Sequence, residues 1–184
     1  AVSETLITSS LNGTRVPALG SYGTLLVSVV NGGKTLRLSD FQAGPVTYAN
    51  WLLRHGLTGT AAEWNNDRFS SGLNNLLKYA LGLDPNEPGG KGGPVVGIVE
   101  DQGNRYLSLS YTKPITAEVP TDLIYAVERA TALDPSAWSS STDHVIPAGA
   151  AVPGPGNLQT VTYRSTHPIG SGPREFLRLR VTQQ

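Results

Sequence analysis

Residues 105–111 of this chain read RYLSLSY, and residues 175–181 read EFLRLRV. Apolar and polar side chains alternate along both stretches, which is the pattern of a β-strand with one buried face and one solvated face. Several strands separated by turns at this spacing predict a mainly β fold, in the form of an antiparallel β-sandwich. The other strands predicted in this region are residues 95–100, 123–129 and 158–165.

The N-terminal part of the chain predicts a hairpin. Residues 24–30 read TLLVSVV and are rich in β-branched side chains, and residues 34–39 read KTLRLS, where polar and apolar residues alternate. Between them residues 31–33, Asn-Gly-Gly, tolerate the positive φ angles that a tight hairpin requires. A further strand is predicted at residues 4–10, with turns after it at residues 12–13 and at Pro17.

The middle of the chain switches to helical spacing. Residues 46–55 carry Tyr48, Trp51 and Leu52 at positions i, i+3 and i+4, which predicts a short helix. After a loop, a second apolar stripe predicts another helix, which Gly82 is expected to end. That stripe consists of Leu73, Leu76, Leu77, Ala80 and Leu81.

The chain is therefore expected to have three parts. Residues 1–44 form an N-terminal strand and hairpin region, residues 45–88 a helix–loop–helix, and residues 94–184 a C-terminal antiparallel β region. The glycine-rich residues 89–93 are expected to be a flexible joint, and residues 147–157 (PAGAAVPGPGN) a loop or a long mobile hairpin end. Two short helices are thus inserted between the N-terminal hairpin region and the C-terminal strands.

The amino-acid composition argues against several kinds of binding partner and cofactor. Fourteen Lys and Arg balance fourteen Asp and Glu, so no basic excess favours nucleic acid or an anionic membrane surface. No apolar run approaches the roughly 20 residues that a membrane helix needs, so no membrane insertion is expected. The chain has no Cys, which excludes a disulfide framework, a thiolate zinc site and a Cys nucleophile. No cofactor is expected.

The first residues bear on location. The chain starts Ala-Val-Ser and contains no Met. A small residue at the start fits cleavage by signal peptidase, which predicts an extracellular or cell-surface protein after signal-peptide removal. A subdomain cut from a longer chain is the alternative.

Two motifs in the middle of the chain carry a family resemblance. Residues 51–59 read WLLRHGLTG, and residues 72–85 read GLNNLLKYALGLDP. Together they resemble a module near the C-termini of large secreted proteins of environmental bacteria. In that module, a Trp-containing helix leads into an acidic, dockerin-like calcium loop, followed by a helix reading Asn-Leu-Leu-Glu-Tyr-Ala-Leu-Gly and then Asp-Pro. Residues 125–129 with Trp138, and residues 176–181, are similar to its later strands. The likeness covers about residues 48–182, and it implies an extracellular location and this architecture rather than an activity.

The calcium loop itself is degenerate in this chain. Such loops place oxygen ligands at positions 1, 3, 5, 7 and 9 and a bidentate Glu at position 12. Here these positions include Asp67 at 1, Phe69 at 3, Ser71 at 5, Asn75 at 9 and Lys78 at 12. We therefore expect no bound metal. Either the Lys78 ammonium replaces the ion and pairs with Asp67 or a loop carbonyl, or Lys78 points to water.

Other chemically active residues form no recognisable cluster. His55, His144 and His167 are scattered without an i, i+4 pair, and His55 beside Gly56 is expected at a helix end. A Gly-x-Ser-x-Gly elbow is absent from the sequence. No pattern marks a pair of buried carboxylates among the acidic residues considered, which are Glu63, Glu118, Glu128 and Glu175.

The three tryptophans have different expected roles. Trp51 lies on an apolar helix face and Trp138 in a motif of the resembled family, so both are expected to be buried anchors. Trp64 lies between Glu63 and Asn65 in a polar loop. It is either a platform for a glycan or partner, or a hydrophobic staple of its loop.

Three function classes follow. The first is a secreted, non-catalytic structural or assembly module. It is either a subunit of an extracellular surface fibre, filament or sheath that forms a homo-oligomer or polymer, or an exported domain that anchors a larger protein. In such a subunit, the strand predicted at residues 4–10 adds to a neighbour's sheet edge. The second is a carbohydrate-binding or adhesive module that contacts a surface glycan through Trp64. The third, an enzyme, has no positive support in the sequence.

Overall fold

The computed structural model describes residues 12–18, 23–33, 35–43, 46–89, 91–115 and 120–184. The described chain is mainly β with antiparallel sheets and two α-helices, which confirms the predicted fold class. It divides into two compact units, residues 1–57 and residues 58–184. The division therefore lies inside the helix–loop–helix segment.

The first unit contains a three-stranded antiparallel sheet in the order β1-β2-β3. The predicted hairpin is confirmed, with Val30 opposite Thr35 and positive φ angles at residues 31–33. Pro17, predicted at a turn, lies instead inside β1, because an edge strand tolerates a residue without an N–H. The strand predicted at residues 4–10 lies outside the described residues. The strands are β1 (Arg15–Ala18), β2 (Gly23–Val30) and β3 (Thr35–Ala43).

Helix α1 (Tyr48–His55) follows this sheet. The Thr47 hydroxyl accepts a hydrogen bond from the Asn50 N–H over 3.4 Å, and Gly56 ends the helix with a φ of 65°. Tyr48 and Trp51 are buried with their rings 5.5 Å apart. His55 is the last residue of the helix, where the sequence places it, and its ring lies 5.1 Å from that of Trp51.

The second unit contains two antiparallel sheets. Five strands form the larger sheet in the order β4-β5-β9-β7, with β8 also paired to β9, and β6 pairs with β10 in the smaller one. The strands of the larger sheet are β4 (Val95–Asp101), β5 (Asn104–Pro114), β7 (Val145–Pro147), β8 (Val152–Pro153) and β9 (Leu158–Pro168); those of the smaller are β6 (Leu123–Ala130) and β10 (Phe176–Gln183).

Side chains from both sheets meet in one core. Leu109 and Tyr111 of β5 pack with Val127 of β6, and Leu177 and Leu179 of β10 complete the cluster from the smaller sheet. This is the two-layer arrangement that the alternating patterns of β5 and β10 predict. Leu81, Val145, Leu83, Tyr125, Val161 and Tyr163 belong to the same cluster.

Helix α2 (Asn75–Ala80) closes one side of this core. The Asn74 side chain caps its first turn by accepting a hydrogen bond from the Leu77 N–H over 3.0 Å. Gly82 follows the helix with a φ of 69°, and a Cβ there would lie 2.6 Å from a methyl carbon of Leu158. Glycine is therefore required both by the backbone and by the space, as the predicted helix end implies.

The segment predicted as a loop or mobile hairpin end contains strand structure. Pro147 is the last residue of β7, and β8 lies at Val152–Pro153; both strands pair with β9. Strands of two or three residues carry no readable periodicity, so only their pairing to β9 reveals them. No helix among the described residues is long and apolar enough to cross a membrane.

Candidate functional site

The loop at residues 67–78, compared with a calcium loop in the sequence analysis, is closed by its own hydrogen bonds. One oxygen of the Asp67 carboxylate accepts from both the N–H and the hydroxyl of Ser71, each over 2.9 Å, and the other accepts from the Gly72 N–H over 2.7 Å. These bonds, first among them that from the Ser71 N–H, lower the pKa of Asp67 below its ordinary value, and the positive charge of Lys78 adds to the effect. The Asp67 carboxylate thus fixes the backbone of the loop at Ser71 and Gly72.

Lys78 does not point to water. It is only 2% exposed, and its Nζ donates to the Pro85 carbonyl over 3.5 Å while lying 5.3 Å from the centre of the Phe69 ring. Pro85 follows helix α2 rather than belonging to the loop. The ammonium therefore joins the far end of the helix to Phe69, and acts on Asp67 through its charge.

Asn75, at the expected loop position 9, uses its side-chain amide to bind backbone carbonyls. It is 3% exposed, and its side-chain amide donates to the carbonyls of Ala61 and Glu63, both over 2.9 Å. Its own N–H donates to the Asn66 carbonyl over 2.9 Å. Asn75 thus fastens residues 61–66 to the start of α2. Across the described ranges, no group of three or more His, Asp or Glu side chains could hold a metal ion.

Trp64 packs against its own unit. The side chain is half-buried, and its ring lies 6.2 Å from the Tyr79 ring at an angle of 57°. Its carbonyl accepts a hydrogen bond from the Leu76 N–H over 3.0 Å. This geometry favours the hydrophobic staple over the flat exposed platform of a sugar site.

Two of the histidines that are separated in sequence lie together. The rings of His144 and His167 are 6.4 Å apart, because Thr166 donates through its N–H to the His144 carbonyl and through its hydroxyl to the Asp143 carbonyl. The fold thus brings together two histidines that have no local spacing in the sequence. His144 Nδ1 is buried without a partner, and Thr166 lies against His167 Nδ1.

One of the carboxylates considered from sequence, Glu128, is buried although no sequence pattern marks it, and Glu175 is partly buried. Glu128 is 6% exposed and accepts from Arg178 Nε over 2.7 Å and from Arg180 over 3.3 Å. Glu175 lies 2.5 Å from the Arg129 guanidinium. Cross-strand pairing of β6 with β10 creates the first contact, so sequence spacing alone does not reveal it. Each carboxylate is neutralised by arginine, which is a structural arrangement.

A groove of about 340 Å³ opens beside this ion pair, between α2 and β10. Its lining includes Leu76, Leu77, Arg178 and Arg180. Both guanidinium groups already pair with Glu128. The groove is therefore a poor anion site.

Strand β4 carries three exposed apolar side chains of the second unit. This strand is at the end of the sheet order, where β5 is its neighbour. Val95, Val96 and Ile98 are 65%, 59% and 50% exposed. The sequence predicts the strand but not its place at the edge, although residues 95–99 (VVGIV) lack the polar alternation of a solvated strand.

The turn after β4 shows which backbone groups are free to pair. Gln102 and Gly103 have φ angles of 49° and 76°, as in a two-residue hairpin turn, and Asp101 lies opposite Asn104. In such a hairpin the closing pair is hydrogen-bonded, and bonded pairs alternate along the ladder. The N–H and C=O groups of Val96, Ile98 and Glu100 therefore point away from β5.

The side chains of β4 extend the core-facing side of the sheet. Val96 lies opposite Leu109, which is 3% exposed, and Ile98 lies opposite Leu107. Directly opposite residues share a face, so Val96 and Ile98 continue the face that carries the core. Unlike Leu109, they remain exposed.

The opposite edge of the same sheet is protected. Strand β7 has three residues and ends at Pro147, and β8 has two residues and ends at Pro153. Short strands and prolines are the usual means by which proteins blunt an edge against pairing. Strand β4 has seven residues without Pro or Lys, so only one of the two edges is blunted in this way.

No protein-family model, curated protein or solved structure matches this chain.

Proposed function

We propose that this chain is a secreted, non-catalytic structural or assembly module, a subunit of an extracellular surface fibre, filament or sheath. The observation that carries the proposal is the apolar edge of β4, which no other strand of the described residues pairs and on which Val95, Val96 and Ile98 are at least half exposed. An unprotected edge of this kind is a template for pairing with another strand.

The charge of the chain supports self-association. Equal numbers of acidic and basic residues give a net charge of zero, so copies of the chain do not repel one another through net charge. In the first unit, Leu36 and Leu38 of β3 are 48% and 54% exposed, which offers a further apolar surface for a polymer. The resemblance of residues 51–59 and 72–85 to modules of secreted bacterial proteins supports the extracellular location.

Electron microscopy of the purified protein tests the proposal. Negative staining at near-physiological salt, over a series of protein concentrations, is expected to give regular fibres, tubes or sheets. Removal of residues 1–10 then tests whether the strand predicted at residues 4–10 joins one subunit to the sheet edge of the next. Dispersed single particles at every concentration, together with a monomeric mass by light scattering, would contradict an assembly role.

The carbohydrate-binding alternative has weaker support, because the Trp64 ring packs on Tyr79. Glycan pull-down with the unmodified chain and with Trp64→Ala separates the two functions. Retention on a glycan that is lost in Trp64→Ala would favour the alternative. Equal absence of binding by both proteins leaves the assembly role as the better account.

A further inference from the structure

We propose that the β4 edge pairs antiparallel with β4 of a second copy of this chain, about a two-fold axis centred on Gly97. This inference rests on the proposed assembly function and specifies the surface and the partner. The contact joins two four-strand paths, β4-β5-β9-β7, into one continuous sheet. It is isologous, because the same surface is used by both copies.

The free backbone groups are compatible with this register. Centring on Gly97 places Val96 opposite Ile98 of the partner subunit, and both residues direct their N–H and C=O away from β5. They can therefore form hydrogen-bonded pairs across the new interface. The same alternation is seen on β5. Arg105 lies opposite Glu100, and its carbonyl points away from β4 and accepts a hydrogen bond from the Ile169 N–H.

The apolar side chains are also self-complementary about Gly97. Residues 95–99 read VVGIV, so Val95 meets Val99 of the partner subunit on one face while Val96 meets Ile98 of the partner subunit on the other. The second face continues the core-facing side of each sheet, which carries Leu109 in each copy. Four exposed apolar side chains would then cover one another where the two sheets meet.

The acidic end of the strand selects the antiparallel orientation. Glu100 and Asp101 follow the apolar residues of β4. In a parallel pairing, each would lie beside its own counterpart, which is destabilising. Antiparallel pairing about Gly97 separates the two Glu100 residues by about 20 Å along the strands, at roughly 3.3 Å per residue. The zero net charge of the chain leaves no general repulsion between copies.

A single introduced cysteine reports this register. The chain has no Cys, so Gly97→Cys contributes the one thiol per copy. A Cβ at residue 97 would meet the Ser108 hydroxyl at 3.4 Å, and the φ of Gly97 lies outside the left-handed region, so the substitution is tolerated. In the proposed dimer the two residues 97 form a non-hydrogen-bonded pair with a Cα separation of about 4.5 Å, within the range that a disulfide spans.

Val95→Cys is the matched control. Residue 95 lies on the same strand and the same face, and it is 65% exposed. In the proposed register the two copies of residue 95 are about 13 Å apart along the strands, which is too far for a disulfide. Both variants are oxidised by air with a copper–phenanthroline catalyst and compared on non-reducing gels. We expect a covalent dimer from Gly97→Cys at least tenfold more abundant than from Val95→Cys.

The outcomes separate this inference from the proposed function. If the unmodified chain assembles but Gly97→Cys gives no more dimer than Val95→Cys, the β4 pairing is wrong while the assembly role stands. If assembly is lost on removal of residues 1–10 and Gly97→Cys gives no excess of dimer, the β4 pairing is wrong and the neighbour's N-terminal segment is the connecting strand. If the unmodified chain stays monomeric and no dimer forms, both proposals are wrong.

Discussion

The hydroxyl of Tyr125 on β6 donates a hydrogen bond to the backbone carbonyl of Ala80, at the end of α2, over 2.7 Å. Ala80 is fully buried, so no solvent replaces this bond. Burial, with the neighbouring Tyr111 and Asp122, raises the pKa of Tyr125 above its ordinary value, which keeps the hydroxyl protonated as a donor. The bond ties the helix to the smaller sheet.

Tyr125→Phe is expected to reduce the free energy of unfolding by about 1–3 kcal/mol, because it leaves the buried Ala80 carbonyl without this partner. Urea unfolding followed by tryptophan fluorescence measures the change. Tyr106→Phe is the control, since the Tyr106 ring lies 4.0 Å from the Arg164 guanidinium, a contact that phenylalanine keeps. Equal stability of Tyr125→Phe and the unmodified chain would contradict the assigned bond.

Asp67→Ala is expected to destabilise the chain most at neutral pH. The folded-state pKa of Asp67 is lowered, mainly by the Ser71 N–H, so its stabilising effect is complete above its ordinary value of 3.8. The effect is lost as the pH falls through the lower folded-state pKa. The melting temperature of Asp67→Ala should therefore lie further below that of the unmodified chain at pH 7 than at about pH 3.

Ser71→Ala controls for the origin of that effect. It removes the hydroxyl bond to Asp67 but keeps the two backbone bonds from Ser71 and Gly72. Its destabilisation at neutral pH should be smaller than that of Asp67→Ala. A loss for Asp67→Ala that does not change with pH would show that the ionised carboxylate does not hold the loop.

Calcium is expected to have no effect on stability. Lys78 is buried where a calcium loop has its bidentate Glu, Phe69 replaces another ligand, and the Asn75 amide is bonded to Ala61 and Glu63. Neither a chelator nor millimolar calcium should move the melting temperature. Lys78→Glu should lose at least about 3 kcal/mol, since it buries an unpaired carboxylate, and calcium should not restore it. A melting temperature that falls with chelator would overturn the degenerate-loop interpretation.

Glu128→Gln is expected to cost about 1.5–3 kcal/mol, the usual range for hydrogen bonds to a charged group. The cost stays below that of a fully buried pair because the side chains of Arg178 and Arg180 are 40% and 57% exposed and can turn to water. Chemical unfolding measures the loss. Glu100→Gln on the exposed part of β4 should change stability by less than about 0.5 kcal/mol. Equal effects of the two substitutions would argue against the buried pair.

Ile98→Lys is expected to weaken self-association at least tenfold, because an edge lysine opposes strand pairing. The fold itself should survive, since Ile98 is 50% exposed. Leu133→Lys, at a loop residue that is 71% exposed, controls for the added charge and the lost apolar area. Light scattering coupled to gel filtration measures the masses. The β4 interface would be refuted by equal association of the two variants.

Local patterns predict much of the fold. The hairpin after β2 follows from Asn31 and its glycines, helix α1 from the spacing of Tyr48 and Trp51, and β5 and β10 from strict alternation. In each case, the signal lies within a few residues, because backbone conformation and a single buried face are local properties. The mainly β class could be predicted on the same ground.

Pairing between segments that are distant in sequence sets the features that local patterns do not predict. The sequence by itself determined most of the longer elements, the zero net charge and the side chains of Phe69 and Lys78, neither of which can supply an oxygen ligand to calcium. Only the tertiary structure paired β6 with β10, which buried Glu128 against arginines, and brought His144 beside His167. It also placed β4 at the end of the strand order of the larger sheet, because the position of a strand in a sheet depends on which distant segments pair with it and not on its own residues.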